Sequence, residues 1–253
     1  MKKFGLIGHP IAHSKSPALF EAAYHGEGDM CYELIENESV EAALRRFAEE
    51  YDAINVTAPF KEPAFRFADQ ADTVTSQLGA TNLLKKVDGK IKAFNTDFWG
   101  VNNILRFHRC DYENPCALVV GCGGAGKAAA MASSNVGFPT YVANRNFARA
   151  EEFCKAAGNL TAVNLDDIRT IIDKVNIIIY TLPVMIDCFA QINLKGKLIL
   201  EANYKDPVLK DICERQGARY LPGQEWLVAQ AVAGFIIMTG IQPDERAMKA
   251  LLL

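Results

Sequence analysis

Two metal-site spacings are missing from this chain. Its seven cysteines, at positions 31, 110, 116, 122, 154, 188 and 213, contain no CxxC pair, and its four histidines (His9, His13, His25, His108) show no HExxH spacing. Zinc sites draw on three or four such ligands, so no metal is expected, although His9 and His13 share a loop. An odd, scattered set of thiols with no secretory leader reads as reduced cysteine in a cytoplasmic protein. Surplus positive charge is missing too: 27 Lys and Arg stand against 30 Asp and Glu, a net charge of -3. A general nucleic-acid binder is usually basic, so no nucleic-acid partner is expected. Long apolar runs are also lacking. Residues 4–8 stop at His9-Pro10, too short for a signal peptide, and 226–241 is broken by Gln230 and falls short of a membrane span. What is present is ordinary globular composition, 50% hydrophobic over 253 residues. That suits one large domain or two modest ones.

The front of the chain alternates strand and helix patterns. Strands are expected at 4–8, 31–35 and 53–57, and helices at 17–24 and around Val40, Ala43, Leu44 and Phe47, which fall at helical spacing. Residues 81–86 and 90–94 flank Asp88-Gly89, a hairpin signal. A helix over 97–107 leads into a polar stretch at 109–115, where a domain boundary would fit. The second half then reads as strand 117–120, glycine loop 121–126, helix 127–136, strand 141–143, helix 147–157, and strands 175–180 and 197–200. That βαβ rhythm implies a parallel sheet with helices on both faces. Beyond Pro222 the chain is expected to be helical.

Gly121-Cys122-Gly123-Gly124-Ala125-Gly126 fits G-x-G-x-x-G between a predicted strand and a predicted helix. Such glycines permit a tight turn, close approach of a pyrophosphate and close helix–strand packing, while amides at the helix start hold phosphate. The same residues through Lys127 fit the start of a P-loop. The next residue, however, is Ala128, where a magnesium-binding hydroxyl would be needed. Dinucleotide binding is therefore preferred to nucleotide hydrolysis. No carboxylate occupies 141–146, where an NAD site carries one for the ribose. Arg145 follows the strand instead, with Arg149 four residues on, and two guanidinium groups suit a 2′-phosphate. This points to NADP. The plainer alternative for Arg149 is a solvated helix residue beside Glu151 and Glu152.

Three polar clusters stand in the front half. Ser14 and Ser16, before Pro17, offer two hydroxyls and a helix start to a carboxylate, or else Ser16 is an N-cap. Asn55 and Thr57 share one face of a strand end, with Lys61 beyond a proline turn. Asn95, Thr96 and Asp97 precede a helix that any of them would cap, and Asn82 is nearby in sequence.

In combination these segments resemble the shikimate dehydrogenase family. The carriers are Ile11-Ala12-His13-Ser14-Lys15-Ser16-Pro17, Asn55-Val56-Thr57-Ala58-Pro59-Phe60-Lys61, Asn95-Thr96-Asp97, the glycine loop, Asn144-Arg145 and Leu227-Val228-Ala229-Gln230-Ala231. The resemblance implies an α/β protein of two domains. One is a discontinuous substrate-binding domain (1–98 plus 223–253); the other is a Rossmann-type, doubly wound parallel-sheet NADP domain (99–222), with a cleft between them. It implies that Ser14 and Ser16 hold a substrate carboxylate, and that Thr57, Asn82, Asp97 and Gln230 contact ring hydroxyls. Lys61 and Asp97 would form the catalytic pair, and Tyr204 would close the site. The implied cofactor contacts are Gly121, Gly123, Gly124, Ala125, Gly126, Asn144, Arg145, Arg149, Thr181 and Gly223.

Five positions depart from the pattern that the resemblance implies: Leu83, Asn146, Trp226 and the Ile179-Tyr180 pair before Thr181. The loop around 184–190 also looks short. The implied activity is NADP-dependent interconversion of 3-dehydroshikimate and shikimate by a monomer or homodimer. Lys61 would exchange the hydroxyl proton or stay charged beside it. Quinate is the alternative substrate, and a non-catalytic NADP- or metabolite-binding regulator the alternative role.

Overall fold

The computed structural model describes residues 1–24 and 28–252, so His25 lies outside the described residues. In chain order the elements are β1 (Lys2–Gly8), α1 (Ser16–Tyr24), β2 (Met30–Glu36), α2 (Val40–Glu50), β3 (Ala53–Val56), α3 (Lys61–Phe67), β4 (Gln70–Ala71), α4 (Thr73–Leu78), β5 (Leu83–Val87), β6 (Lys90–Phe94) and α5 (Thr96–His108). There follow β7 (Ala117–Val120), α6 (Gly124–Asn135), β8 (Thr140–Asn144), α7 (Phe147–Ala157), β9 (Thr161–Asn164), α8 (Ile168–Ile171), β10 (Ile177–Tyr180), β11 (Leu198–Glu201), α9 (Lys210–Gln216), β12 (Arg219–Leu221), α10 (Gly223–Thr239) and α11 (Glu245–Ala250). By contact the chain divides into Met1–Thr96 with Gln230–Leu253, and Asp97–Ala229. Those divisions fall inside α5 and α10, two residues before the expected 98/99 and seven beyond the expected 222/223, so that 97–98 and 223–229 group with the second unit.

The first unit carries a mixed sheet in the order β2-β1-β3-β5-β6-β4. β1 is parallel to β2 and β3, while β5 runs antiparallel to β3 and β6. The expected hairpin forms: Asp88 and Gly89 both take positive φ, 53° and 74°, the backbone that a two-residue Asp-Gly turn needs. The apolar stripe of α2 (Ala43, Leu44, Phe47) is buried against Ile7, Ile35, Ile54 and Leu84. Each such large side chain removed from water contributes about 1.5–3 kcal/mol. This core fixes the carboxyl ends of β1 and β3, where the polar clusters begin.

The second unit is parallel throughout, in the order β12-β11-β10-β7-β8-β9. The chain starts at central β7, winds out through β8 and β9, and crosses back to β10 on the other side of β7. That is the Rossmann winding, whose switch point lies between β7 and β10. Both strands are buried along their full length, as expected for a sheet covered on both faces. No helix among the described residues is long and apolar enough to cross a membrane.

Several short elements escape the sequence pattern. Lys61, expected just beyond a proline turn, opens α3, where Pro63 in the first turn loses no helix hydrogen bond. α4, α9, β9 and β12 are each too short to show a clear period.

Candidate active site

On the first unit, Ser14 and Ser16 meet at the start of α1. Ser14 Oγ donates to Ser16 Oγ at 3.1 Å and accepts the Ser16 backbone N–H at 3.2 Å. Ser14 therefore braces the helix start on which Ser16 stands. Ser16 lines a cavity of about 30 Å³ together with Tyr32, Asn55 and Gln230. The Tyr32 hydroxyl donates to Asn55 Oδ1 at 2.8 Å. Burial holds this phenol well above its ordinary pKa, with a hydrogen bond from Ser16 acting the other way.

A continuous polar chain runs on from Asn55. Its Nδ2 donates to the Asn82 carbonyl at 3.3 Å. The Asn82 side chain then grips Thr96 from both ends: Nδ2 donates to Thr96 Oγ1 at 2.9 Å, and Oδ1 accepts the Thr96 N–H at 2.6 Å. Thr96 Oγ1 donates to Gln230 Oε1 at 2.9 Å. Thus two residues expected to contact substrate, Asn82 and Gln230, are joined through fully buried Thr96, to which sequence reading assigned no role beyond its motif and a helix cap. Tyr32 escaped that reading because one tyrosine in an apolar strand gives no signal. α10 is held over this network by Lys85, whose Nζ donates to the Ile237 carbonyl at 2.6 Å. A Cβ on Gly234, one turn beyond Gln230, would lie 3.6–3.8 Å from Leu83, Asn55 and Thr96.

The other expected residues of this half sit on element ends. Thr57 follows β3 and donates its N–H to Ile7 O at 3.0 Å; its methyl packs so close to Gly8 that a Cβ there would lie 2.4 Å away. Lys61 is half-buried at the first position of α3, where its carbonyl accepts the Thr81 N–H at 3.0 Å. Asp97 stands half-buried in the first turn of α5 and falls in the second unit. Leu83, one of the departures, is a fully buried core residue of β5.

On the second unit the glycine loop closes the carboxyl end of β7. Gly121 takes φ 107°, and a Cβ on Gly126 would lie 2.0 Å from the Gly121 carbonyl. Side chains are therefore excluded at both ends of the loop. At Gly123 and Gly124 a Cβ would meet nothing within 4 Å. The open side of the loop thus leaves room for a phosphate to approach the backbone. α6 begins at Gly124 with no capping side chain and no acid in its first turn, so its leading amides suit an anion.

Braces surround this loop. Asn144 Oδ1 accepts the Cys122 N–H at 3.2 Å, and its Nδ2 donates to Asn146 O at 2.9 Å. Thr181 Oγ1 donates to Val120 O at 2.9 Å, beside Gly121. Both side chains, expected to touch cofactor, are engaged in shaping the loop that would hold it. The Asn146 side chain caps α7 by accepting the Arg149 N–H at 3.2 Å. Arg145 and Arg149 are exposed, and neither is held in an ion pair among the described residues. Glu151, a rival partner for Arg149, pairs with Lys155 at 3.3 Å.

Tyr204 lies in the loop after β11. Gly223 opens α10 so close to that loop that a Cβ would come within 2.8 Å of Ala202 O and Tyr204 N. Buried Glu201 orders the loop and was missed by sequence reading. Its carboxylate accepts from Val208 N at 2.6 Å, Leu209 N at 3.2 Å and Tyr220 OH at 2.8 Å. Trp226 is buried in α10. Among the described residues no group of three or more His, Cys, Asp and Glu stands together to hold a metal.

A family model described as Shikimate dehydrogenase substrate binding domain matches residues 6–84, and one described as Shikimate / quinate 5-dehydrogenase matches residues 106–184. The chain is 31% identical to the shikimate dehydrogenase (NADP(+)) of Methanococcoides burtonii, over 98% of this chain and 97% of that protein. The shikimate dehydrogenase structure from Aquifex aeolicus has a TM-score of 0.89 at 28% identity, covering 99% of this chain and 97% of that one. The Thermus thermophilus shikimate 5-dehydrogenase in complex with NADP(H) and shikimate has a TM-score of 0.82 at 25% identity, covering 99% and 98%. With both halves matched and a relative similar from end to end, the chain belongs to the shikimate dehydrogenase family.

Proposed function

We propose that this chain catalyses the reversible NADP-dependent reduction of 3-dehydroshikimate to shikimate, a step of aromatic amino-acid biosynthesis. The observation that carries the reading is the polar chain from Tyr32 through Asn55, Asn82 and Thr96 to Gln230, flanked by the Ser14–Ser16 pair. Such a row of oriented donors and acceptors suits a small ring bearing hydroxyls and one carboxylate. On the proposed division, 1–98 with 223–253 binds substrate and 99–222 binds cofactor.

The glycine loop fits a dinucleotide phosphate, since its middle glycines face open space and its helix start is uncapped. Gly121, Gly123, Gly124, Ala125 and Gly126 would hold the pyrophosphate, shaped by Asn144 and Thr181, with Gly223 at the rim. Arg145 and Arg149 would hold the 2′-phosphate. When bound, NADPH supplies the hydride-donating chemistry.

The chain's own residues do the rest. Ser14 and Ser16 hold the carboxylate, Thr57, Asn82, Asp97 and Gln230 orient the ring hydroxyls, and Tyr204 closes over them. Lys61 Nζ exchanges the proton of the reacting oxygen or, staying charged, stabilises negative charge there. Asp97 is the second member of the proposed catalytic pair. The seven cysteines suit a reducing cytoplasm, and the proposed enzyme works as a monomer or homodimer without nucleic acid.

The deciding experiment compares 3-dehydroshikimate reduction with NADPH and NADH, and shikimate with quinate oxidation using NADP. Fastest turnover with NADPH and with shikimate is expected. Faster quinate oxidation would move the substrate to the second name in the matched family description. NADPH binding without turnover of any of them would make the protein a regulator.

A further inference from the structure

Tyr180, the last residue of β10, is a tyrosine that the proposed mechanism does not use. Its ring is fully buried in the core of the second unit and packs edge-on against Phe189, centroids 5.1 Å apart. A phenylalanine would fill that space equally well. A buried hydroxyl carries a desolvation cost unless it is paired, and this one is paired twice within a single segment. It donates to the Val184 carbonyl at 2.7 Å and accepts the Ile186 N–H at 3.0 Å.

That segment belongs to the glycine-loop wall. Thr181 and Leu182, which begin it, are the side chains that crowd Gly121. Its middle residues present apolar surface outward, Val184 at 64% and Met185 at 41% exposure. Neither α-helix nor strand spans 181–186, so the phenol supplies anchoring that backbone ladders supply elsewhere.

The geometry points to Tyr180 as a positioning residue of the cofactor side: its hydroxyl fixes the backbone of residues 184–186 so that the wall beginning at Thr181 keeps the shape that NADP binding requires. This inference rests on the NADP reading above. Burial pushes the phenol up to about 12, so the hydroxyl keeps its proton, and with it both bonds, across the working pH range.

The test is NADPH fluorescence titration of the full chain, wild type against Tyr180→Phe and Phe189→Leu, with the shikimate-induced rise in melting temperature measured alongside. Tyr180→Phe is expected to raise the NADPH Kd about tenfold while the shikimate response holds. Phe189→Leu keeps the hydroxyl and loses packing, so it should lower the melting temperature yet leave the NADPH Kd within about twofold. A wild-type Kd in Tyr180→Phe would overturn the inference, as would equal losses for NADPH and shikimate, or an NADPH loss in Phe189→Leu matching that in Tyr180→Phe. Wild-type protein that fails to bind NADPH would overturn both this inference and the cofactor reading. Binding without turnover, with the tenfold loss in Tyr180→Phe, would support the inference while removing the enzymatic reading.

Discussion

Tyr32 Oη and Asn55 Oδ1 lie 2.8 Å apart, half-buried in the first unit, and that bond heads the polar chain ending at Gln230. Removing the hydroxyl leaves Asn55 Oδ1 without its donor and Ser16 without its phenol neighbour. A lost hydrogen bond of this half-buried kind costs about 0.5–1.5 kcal/mol. Tyr32→Phe should therefore lower the unfolding midpoint and raise KM for 3-dehydroshikimate about tenfold, with KM for NADPH unmoved. Steady-state kinetics with each substrate varied in turn checks this; equal changes in both Michaelis constants would mean a general loss of structure.

Two glycines of one loop should fail in different ways. A Cβ on Gly126 would lie 2.0 Å from the Gly121 carbonyl, so Gly126→Ala must push backbone apart. Overpacking of that kind costs about 1–3 kcal/mol, visible as a lower denaturation midpoint. Gly123 has ordinary negative φ and open space ahead of its Cβ. Gly123→Ala should keep the wild-type midpoint and lose NADPH affinity, because the added methyl stands where phosphate would approach. Denaturation and NADPH titration on both variants separate the two effects.

These contrasts show what was readable beforehand. The strand-loop-helix around Gly121 was legible because glycine spacing and β7's apolar run are local signals, as was the Asp88-Gly89 hairpin. The mixed order of the first sheet was not, since pairing of β3 with β5 joins residues about thirty apart and no periodicity encodes it. Ser14, Ser16, Asn82 and Gln230 were proposed from the resemblance, and Thr96 stood in the quoted Asn95-Thr96-Asp97 segment without a role of its own, whereas Tyr32 and Glu201 gave no signal. Their roles come from what the fold places beside them. Asn146 shows the reverse case: it was noted only as a departure from the family pattern, and its side-chain Oδ1 serves as the cap of α7.

On the proposed function, Arg145 would set the preference for NADPH over NADH. It is exposed and without an ion pair among the described residues, so substitution leaves no buried partner unsatisfied and should not alter folding. Charge-assisted bonds to phosphate are about twice as strong as neutral ones. Arg145→Ala should therefore weaken NADPH about tenfold or more and NADH by less than about twofold. Fluorescence titration with the two cofactors measures the ratio, and equal losses would remove the phosphate role.

A pH-dependent contribution to stability sits at Asp111. Its carboxylate bonds His108 Nδ1 at 2.8 Å and Arg219 Nη1 at 2.6 Å, tying the end of α5 to β12. The bond from His108, then the Arg219 contact, holds its pKa below the ordinary 3.8. A depressed carboxyl pKa stabilises the fold above the unfolded value, and this is lost as pH falls through the folded value. Asp111→Asn should accordingly lower the denaturation midpoint near neutral pH, and the gap from wild type should close below about pH 4. Urea midpoints across that range test it; a gap independent of pH would assign the effect to packing.

Lys61 and Asp97 are each placed by a helix start, α3 and α5, rather than by a mobile loop. Fixed attachment of that kind is what proton exchange at a defined oxygen demands. A positioned acid or base contributes about 10²–10⁴ in rate, so Lys61→Ala should lower kcat by at least about a hundredfold. Shikimate should still raise the melting temperature, because Ser14, Ser16 and Gln230 are untouched. Asp97→Asn keeps the shape and removes the carboxylate, so on the proposed pairing its kcat should fall as well, by at least about tenfold. Wild-type turnover in Lys61→Ala would sink the catalytic assignment, and wild-type turnover in Asp97→Asn would leave that carboxylate a ring contact alone.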